Sequence, residues 1–152
     1  MATITQQPAG YFAGVHKVKN YPEAASQSFK AGEFVYLVGG KVTVCASDAT
    51  VILGMAVADA TGTTDSSIPV LLAEAGTEFK ANVTGAVTAV TQRGVKYALL
   101  VTSNKHYVDV SDTDNDAFTI LDFAQEDAIG DTYGRVIFRV ISAAYQNDTA
   151  AT

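Results

Sequence analysis

The run Phe34-Val35-Tyr36-Leu37-Val38, then Gly39-Gly40, then Lys41-Val42-Thr43-Val44-Cys45, constrains the fold more than any other stretch of the chain. Two β-prone runs joined by a pair of glycines form a hairpin, because glycine takes the positive φ angles of a type I′ turn without a Cβ penalty. Counting outward from the turn sets Val38 opposite Lys41, Leu37 opposite Val42, Tyr36 opposite Thr43 and Val35 opposite Val44. Side chains alternate between faces, so Val35, Leu37, Val42 and Val44 make one apolar face, the expected core side. Phe34, Tyr36 and Val38 share the other face with Lys41 and Thr43. That face is too apolar for free solvent, so either a covering segment of the same chain or another molecule must lie on it.

The pattern continues beyond the hairpin. Val51 to Ala58 is a second β-prone run, and Gly54 within it marks a bend or a close approach of backbones. Asp59 to Ser67 is a polar loop. Ile68 to Ala73 resumes a strand, with Pro69 placing it at a strand start or a sheet edge. Glu78 to Thr84 alternates strictly, with Phe79, Ala81 and Val83 inward and the polar groups outward. Val87 and Val90 lie in a short apolar-polar segment before the turn at Gly94. Val95 to Val101 is apolar on both sides apart from Lys96, as in a central or covered strand. Tyr107 to Val110, Phe118 to Phe123 and Arg135 to Ile141 complete the set. In the last, Val136, Phe138 and Val140 form one face, while Ile137 and Ile141 interrupt the polar face of Arg135 and Arg139. Gln125 to Ile129 has room for one helical turn. Roughly nine short strands separated by turns, without a long amphipathic helix, predict an all-β domain, a small sandwich or barrel.

Residues 1–29 lack a sustained period. Pro8, Gly10, Gly14 and Pro22 interrupt regular structure, yet Tyr11, Phe12, Val15, Val18, Tyr21 and Phe29 supply apolar anchors. This predicts an extended N-terminal arm or edge segment draped over its own body or a neighbour, a β body over 30–142, and a C-terminal tail over 143–152. The expected protein-interface residues are Tyr11, Phe12, Val15, Phe34, Tyr36 and Val38.

Composition narrows the function classes. The 152 residues carry 48% apolar and only 17% charged side chains, below the roughly 25% charge of soluble domains, so part of the surface is expected to be covered in use. Sixteen acidic against ten basic residues give a net charge of -6. With no Lys/Arg cluster, this is poorly suited to a phosphate backbone, and no nucleic-acid partner is expected. No stretch approaches the ~20 apolar residues of a spanning helix, so no membrane role is expected. The N-terminus has no basic region leading into an apolar run, which argues against a signal peptide and for synthesis in the cytoplasm.

Catalytic patterns are missing. The single Cys45 falls inside a strand, as a buried thiol would. Gly39-Gly40-Lys41 lacks the spacing of a phosphate loop, and no serine sits in a nucleophile elbow. His16 and His106, in unrelated contexts, read as surface or interface histidines rather than ligands or bases. Asp112-x-Asp114-x-Asp116 opens like a calcium loop, but Ala117 stands where glycine is needed and Phe123 where a bidentate glutamate is needed. A turn whose Asp and Asn side chains bond their own backbone is the expected reading. No catalytic residue, cofactor or metal is assigned. Asn82-Val83-Thr84 and Asn147-Asp148-Thr149 match the glycosylation pattern by coincidence in a chain without a secretory signal.

AGEFVYLVGGKVTVCASDATVILGMAVADATG, then IPVLLAEAGTEFKANVTG, resembles the capsid decoration (cement) proteins of tailed bacteriophages, small β proteins that bind the outside of the shell. The shared features are Gly32, the Gly39-Gly40 hairpin, Gly54 in ILGMAVADA and Gly76 before the alternating strand. GVKYALLVTSNKHYVDVSDTDNDAFTILDF and GDTYGRVIFRVI also look like that group, so the resemblance spans residues 30–142. It implies a non-enzymatic structural protein of the virion, on the capsid outer surface, with the major capsid protein as partner. It also implies a homo-oligomer, with a trimer favoured over a dimer, and residues 1–29 acting as a clamp. The alternative is another virion module, from tail or baseplate, or a host-surface binding domain, since β frames host many functions. A third reading, an enzyme site between subunits, rests only on acids near His106.

Overall fold

The computed structural model describes residues 3–86, 90–124 and 129–146. Eleven strands occur among them: β1 (Gly10–Gly14), β2 (Val18–Pro22), β3 (Phe34–Val38), β4 (Lys41–Val44), β5 (Gly54–Ala56), β6 (Ser67–Leu72), β7 (Thr77–Asn82), β8 (Lys96–Thr102), β9 (Lys105–Asp109), β10 (Phe118–Phe123) and β11 (Arg135–Val140). They form two antiparallel sheets, a six-stranded one ordered β1-β7-β11-β10-β8-β9 and a five-stranded one ordered β2-β6-β5-β3-β4. The architecture is an all-β sandwich. Val90–Gln92 and Ser142–Ala144 are short 3-10 turns. The expected helical turn at Gln125 to Ile129 falls largely outside the described residues, as do Val87 and the tail from Asn147.

The hairpin forms in the register that its two glycines dictate: Val38 pairs with Lys41, Leu37 with Val42, Tyr36 with Thr43 and Val35 with Val44. Gly39 and Gly40 take φ of 59° and 79°, the paired positive values of a type I′ turn. A second hairpin, β8–β9, turns through Ser103 and Asn104, whose φ values of 49° and 61° serve the same geometry without glycine. Asn visits this region because its short amide bonds locally. Pro69 sits where its missing N–H does least harm, just past the end of β5, with its carbonyl accepting from the Val57 N–H at 3.0 Å.

The main core lies between the sheets. Phe79, Phe118 and Phe138 from the six-stranded sheet surround Phe34 from the other, with centroids 5.2, 5.3 and 6.0 Å from the Phe34 ring. Each aromatic pair adds about 0.5–1.5 kcal/mol beyond its buried area. Phe34 therefore does not serve as an interface residue: it is fully buried at the centre of the sandwich. Of the two hairpin faces, the one carrying Phe34 and Tyr36 points into this core. The Val35, Val42 and Leu53 side forms a second cluster on the outer surface of the five-stranded sheet. Both faces are buried because residues 24–33 and 57–66 close over that outer surface. Phe29 roofs it, the Ala60 N–H bonds the Phe29 carbonyl at 2.8 Å, and the Gly32 N–H bonds the Ala56 carbonyl at 2.9 Å.

Residues 3–22 are integrated into the body by hydrogen bonds. Strand β1 pairs with β7 and β2 with β6, so the segment supplies one edge of each sheet. Asn82, expected to point outward, is fully buried. Its amide oxygen accepts from the Gln7 N–H at 2.8 Å, and its amide nitrogen donates to the Thr5 and Tyr133 carbonyls at 3.1 and 2.6 Å. At the other end, Ala144 and Tyr145 are buried. The Gln146 side chain bonds both backbone groups of Leu37 at 2.6 and 2.9 Å, standing in for a strand neighbour where β5 has ended. Residues 143–146, predicted as tail, are thus docked on the body.

Candidate protein-binding surface

Strands β1 and β2 belong to different sheets, so residues 15–17 between them must cross one edge of the sandwich. Gly14 makes that corner possible: its φ is 86°, and a Cβ there would fall 1.8 Å from the Gly76 carbonyl oxygen. The Val15 N–H bonds the same oxygen at 2.9 Å, and the Thr77 hydroxyl donates to the Val15 carbonyl at 3.0 Å. With the backbone pinned, the apolar side chains project outward. Tyr11, Phe12, Val15 and Val18 are 39%, 49%, 44% and 41% exposed. Tyr11 packs edge-on against His16 at 4.7 Å and donates its hydroxyl to the Gly14 carbonyl, which holds the ring in place.

Three of the six expected interface residues, Tyr11, Phe12 and Val15, therefore share this edge. Val38 is exposed but lies apart, on β3, with β5 and β6 between it and β2. Tyr36 is half-buried against the main core and Phe34 is inside it. Val18 belongs with the exposed group. The sequence names it among the anchors of the arm but not among the expected interface residues.

A groove of about 530 Å³ lies on the outer side of the six-stranded sheet, with Phe12 on one wall, Leu121 and Phe123 on the other, and Ile137 in its floor. The apolar interruption of the polar face by Ile137 was its signal in the sequence. The Arg93 guanidinium sits 4.9 Å from the Phe123 ring centre and is bonded to Asp122 at 3.0 Å. Asp122 is held below the usual carboxylate range, chiefly by the Phe123 N–H and then by Arg93.

The sequence-level sites of possible chemistry resolve differently. Cys45 is buried and free, and burial pushes its thiol far up, which leaves it inert as a nucleophile. His106, expected at a surface or interface, is buried: its Nδ1 accepts from the Phe34 N–H at 3.0 Å and its Nε2 faces Glu33 Oε1 at 3.2 Å. Asp112 spends its oxygens on its own turn, accepting from the Asp114 and Asn115 N–H groups at 2.9 and 3.3 Å and from the Asn115 amide. These bonds lower Asp112, whereas Asp48, hydrogen-bonded to Asp112 and close to Asp109, is raised. Of the two carboxyls, Asp48 is therefore the first to take up a proton as pH falls. Among the described residues no cluster of three or more potential metal ligands is found, and no helix is long and apolar enough to cross a membrane.

Glu23 fixes the polar loop. It is fully buried, and its carboxylate accepts from the Thr61 N–H, the Thr61 hydroxyl and the Gly62 N–H, each at 2.8 Å. Burial opposes its charge, but these bonds outweigh that and hold the group below its ordinary value. A carboxyl lowered by folding contributes stability that is complete above the unfolded value. That contribution is lost as pH falls through the folded value. Glu23→Gln is expected to lose about 2 kcal/mol at pH 7, with the gap to wild type closing as the buffer is acidified below the ordinary carboxylate range. Urea unfolding along a pH series checks this.

No protein-family model matches the chain, and a search of curated proteins finds no significant match.

Proposed function

We propose that the chain is a structural virion protein that binds the outside of a tailed-phage capsid, with the major capsid protein as partner, and stabilises the shell. The observation that supports this reading is that four of the eight exposed large apolar side chains among the described residues, Tyr11, Phe12, Val15 and Val18, lie on one hydrogen-bonded edge. Rigid aromatic and aliphatic anchors on a fixed backbone suit recognition by buried area, since little side-chain freedom is lost on contact. Acting as a homo-oligomer on a regular lattice, the protein multiplies weak contacts into high effective affinity. No chemical step is required for this role.

Purified protein mixed with undecorated, expanded heads of its own phage is expected to bind saturably and stoichiometrically and to raise the temperature at which the heads rupture. Val15→Asp, on an exposed site, is expected to weaken binding at least about tenfold with the fold unchanged. Absence of binding to heads, or labelling of intact particles confined to the tail, would overturn the capsid assignment; tail labelling would favour the alternative virion module.

A further inference from the structure

The two broad outer surfaces of the sandwich differ. Residues 24–33 and 57–66 roof the five-stranded sheet, while the six-stranded sheet carries the open groove between Phe12 and Leu121. Two β-bulges bracket that groove. The register of β1 against β7 slips between Tyr11 and Ala13, and that of β10 against β11 slips between Ile120 and Asp122. The extra residues are Phe12 and Leu121, and both line the groove. A bulge re-aims a side chain out of the regular alternation, so the backbone is shaped on both sides to present these residues here. Phe12 is left 49% exposed, a large projecting ring beside a cavity big enough to take one.

The charges on this face are ordered as well. Glu78 and Lys80 point outward from β7 between the inward Phe79 and Ala81, and β11 pairs Ile137 with Lys80 and Phe138 with Phe79. Carrying that register one step further sets Arg139 across from Glu78. A half-turn about an axis parallel to the strands, lying between β7 and β11, exchanges these two positions. In a stacked second copy, each Glu78 then faces the other's Arg139. The same half-turn carries Phe12, on one wall, across to the Leu121 and Phe123 wall opposite. Knob, hole and both signs of charge thus sit on one surface in the self-complementary arrangement that a two-fold contact requires.

We propose that the outer face of the six-stranded sheet is a self-association surface, on which a second copy of this chain docks about a two-fold axis with Phe12 of each copy seated in the groove of the other. The pairing gives a dimer, in place of the trimer implied by the resemblance, and it stands independently of capsid binding.

Sedimentation equilibrium of the purified full chain, with no shell present, tests it. The expected mass is that of a dimer at micromolar concentration. Phe12→Ser is expected to raise the dimer dissociation constant at least about tenfold; because the side chain is half-exposed, circular dichroism should be unchanged. Glu78→Arg and Arg139→Glu are each expected to weaken the dimer, and the double variant to restore it, since the exchange leaves every cross-copy pair opposite in sign. A monomer throughout the concentration range would overturn the proposal. So would a trimer, a dimer indifferent to Phe12→Ser, or charge reversals without mutual rescue.

Discussion

His106→Leu is expected to cost about 3–5 kcal/mol of folding stability, the range for removing one member of a buried polar pair. The reason is the number of groups that one imidazole satisfies. Its Nδ1 takes the Phe34 N–H, which fixes the remaining proton on Nε2, and Nε2–H is directed at Glu33 Oε1. Glu33 Oε2 in turn accepts from the Lys30 N–H at 2.6 Å. Glu33 and His106 are 2% and 1% exposed, so water cannot replace a lost partner. Leucine would fill the space but leave a buried backbone N–H without an acceptor and a buried carboxylate without a donor, each with its own desolvation penalty. Glu33→Gln keeps an acceptor for Nε2–H and is expected to cost less, about 1–2 kcal/mol. Urea unfolding at pH 7 measures both; a loss under 1 kcal/mol for His106→Leu would show that the pair does not hold β9 to the start of β3.

Gly54→Ala is expected to be at least as damaging, with a loss of about 4 kcal/mol or more, because nothing around it can yield. A Cβ at this position would lie 2.0 Å from the Leu71 carbonyl oxygen and 2.8 Å from its carbon. Both are main-chain atoms of β6, and Gly54 is also paired with Val35 of β3. Strand β5 would have to leave one neighbour, and the Leu53 N–H to Val35 and Ala73 N–H to Leu53 bonds, both 2.9 Å, would go with it. At roughly 2–4 °C per kcal/mol for a chain of this size, melting should fall by about 10 °C or the variant should fail to accumulate in soluble form. Gly39→Asn is the control. Its Cβ meets open space and Asn tolerates the positive φ, so its melting temperature should stay within a few degrees. Equal melting for Gly54→Ala and wild type would refute the close approach.

Local features were legible in the sequence because local chemistry decides them. The Gly39-Gly40 turn fixed the register of four residue pairs, and the alternation through Phe79, Ala81 and Val83 named their inward face correctly. Gly54 announced a close approach without saying to what. The errors have a common origin in distant parts of the chain. Phe34 reads as a surface residue until the six-stranded sheet is placed over it. His106 shares the inward side of β9 with Val108, but a polar residue at an inward position looks misplaced until Glu33, 73 positions earlier in the chain, is found waiting for it. Asn82 is similar, since its partners at residues 5, 7 and 133 come from both ends of the chain. The edge formed by Tyr11, Phe12 and Val15 was recognisable as apolar side chains in an irregular segment. Of the groove beside it only the floor was hinted at, by Ile137 on the polar face of β11; its Leu121 wall was not, because a bulge in β10 leaves no mark in residue type.

The roof over the five-stranded sheet gives the molecule a front and a back. Any neighbour that meets the uncovered side leaves the Thr61–Asp65 loop aimed the opposite way, held there by Glu23. A peptide spliced into that loop would project away from whatever the uncovered side meets, and in the two-fold pair the two cargoes would point in opposite directions, each remote from the adhesive face.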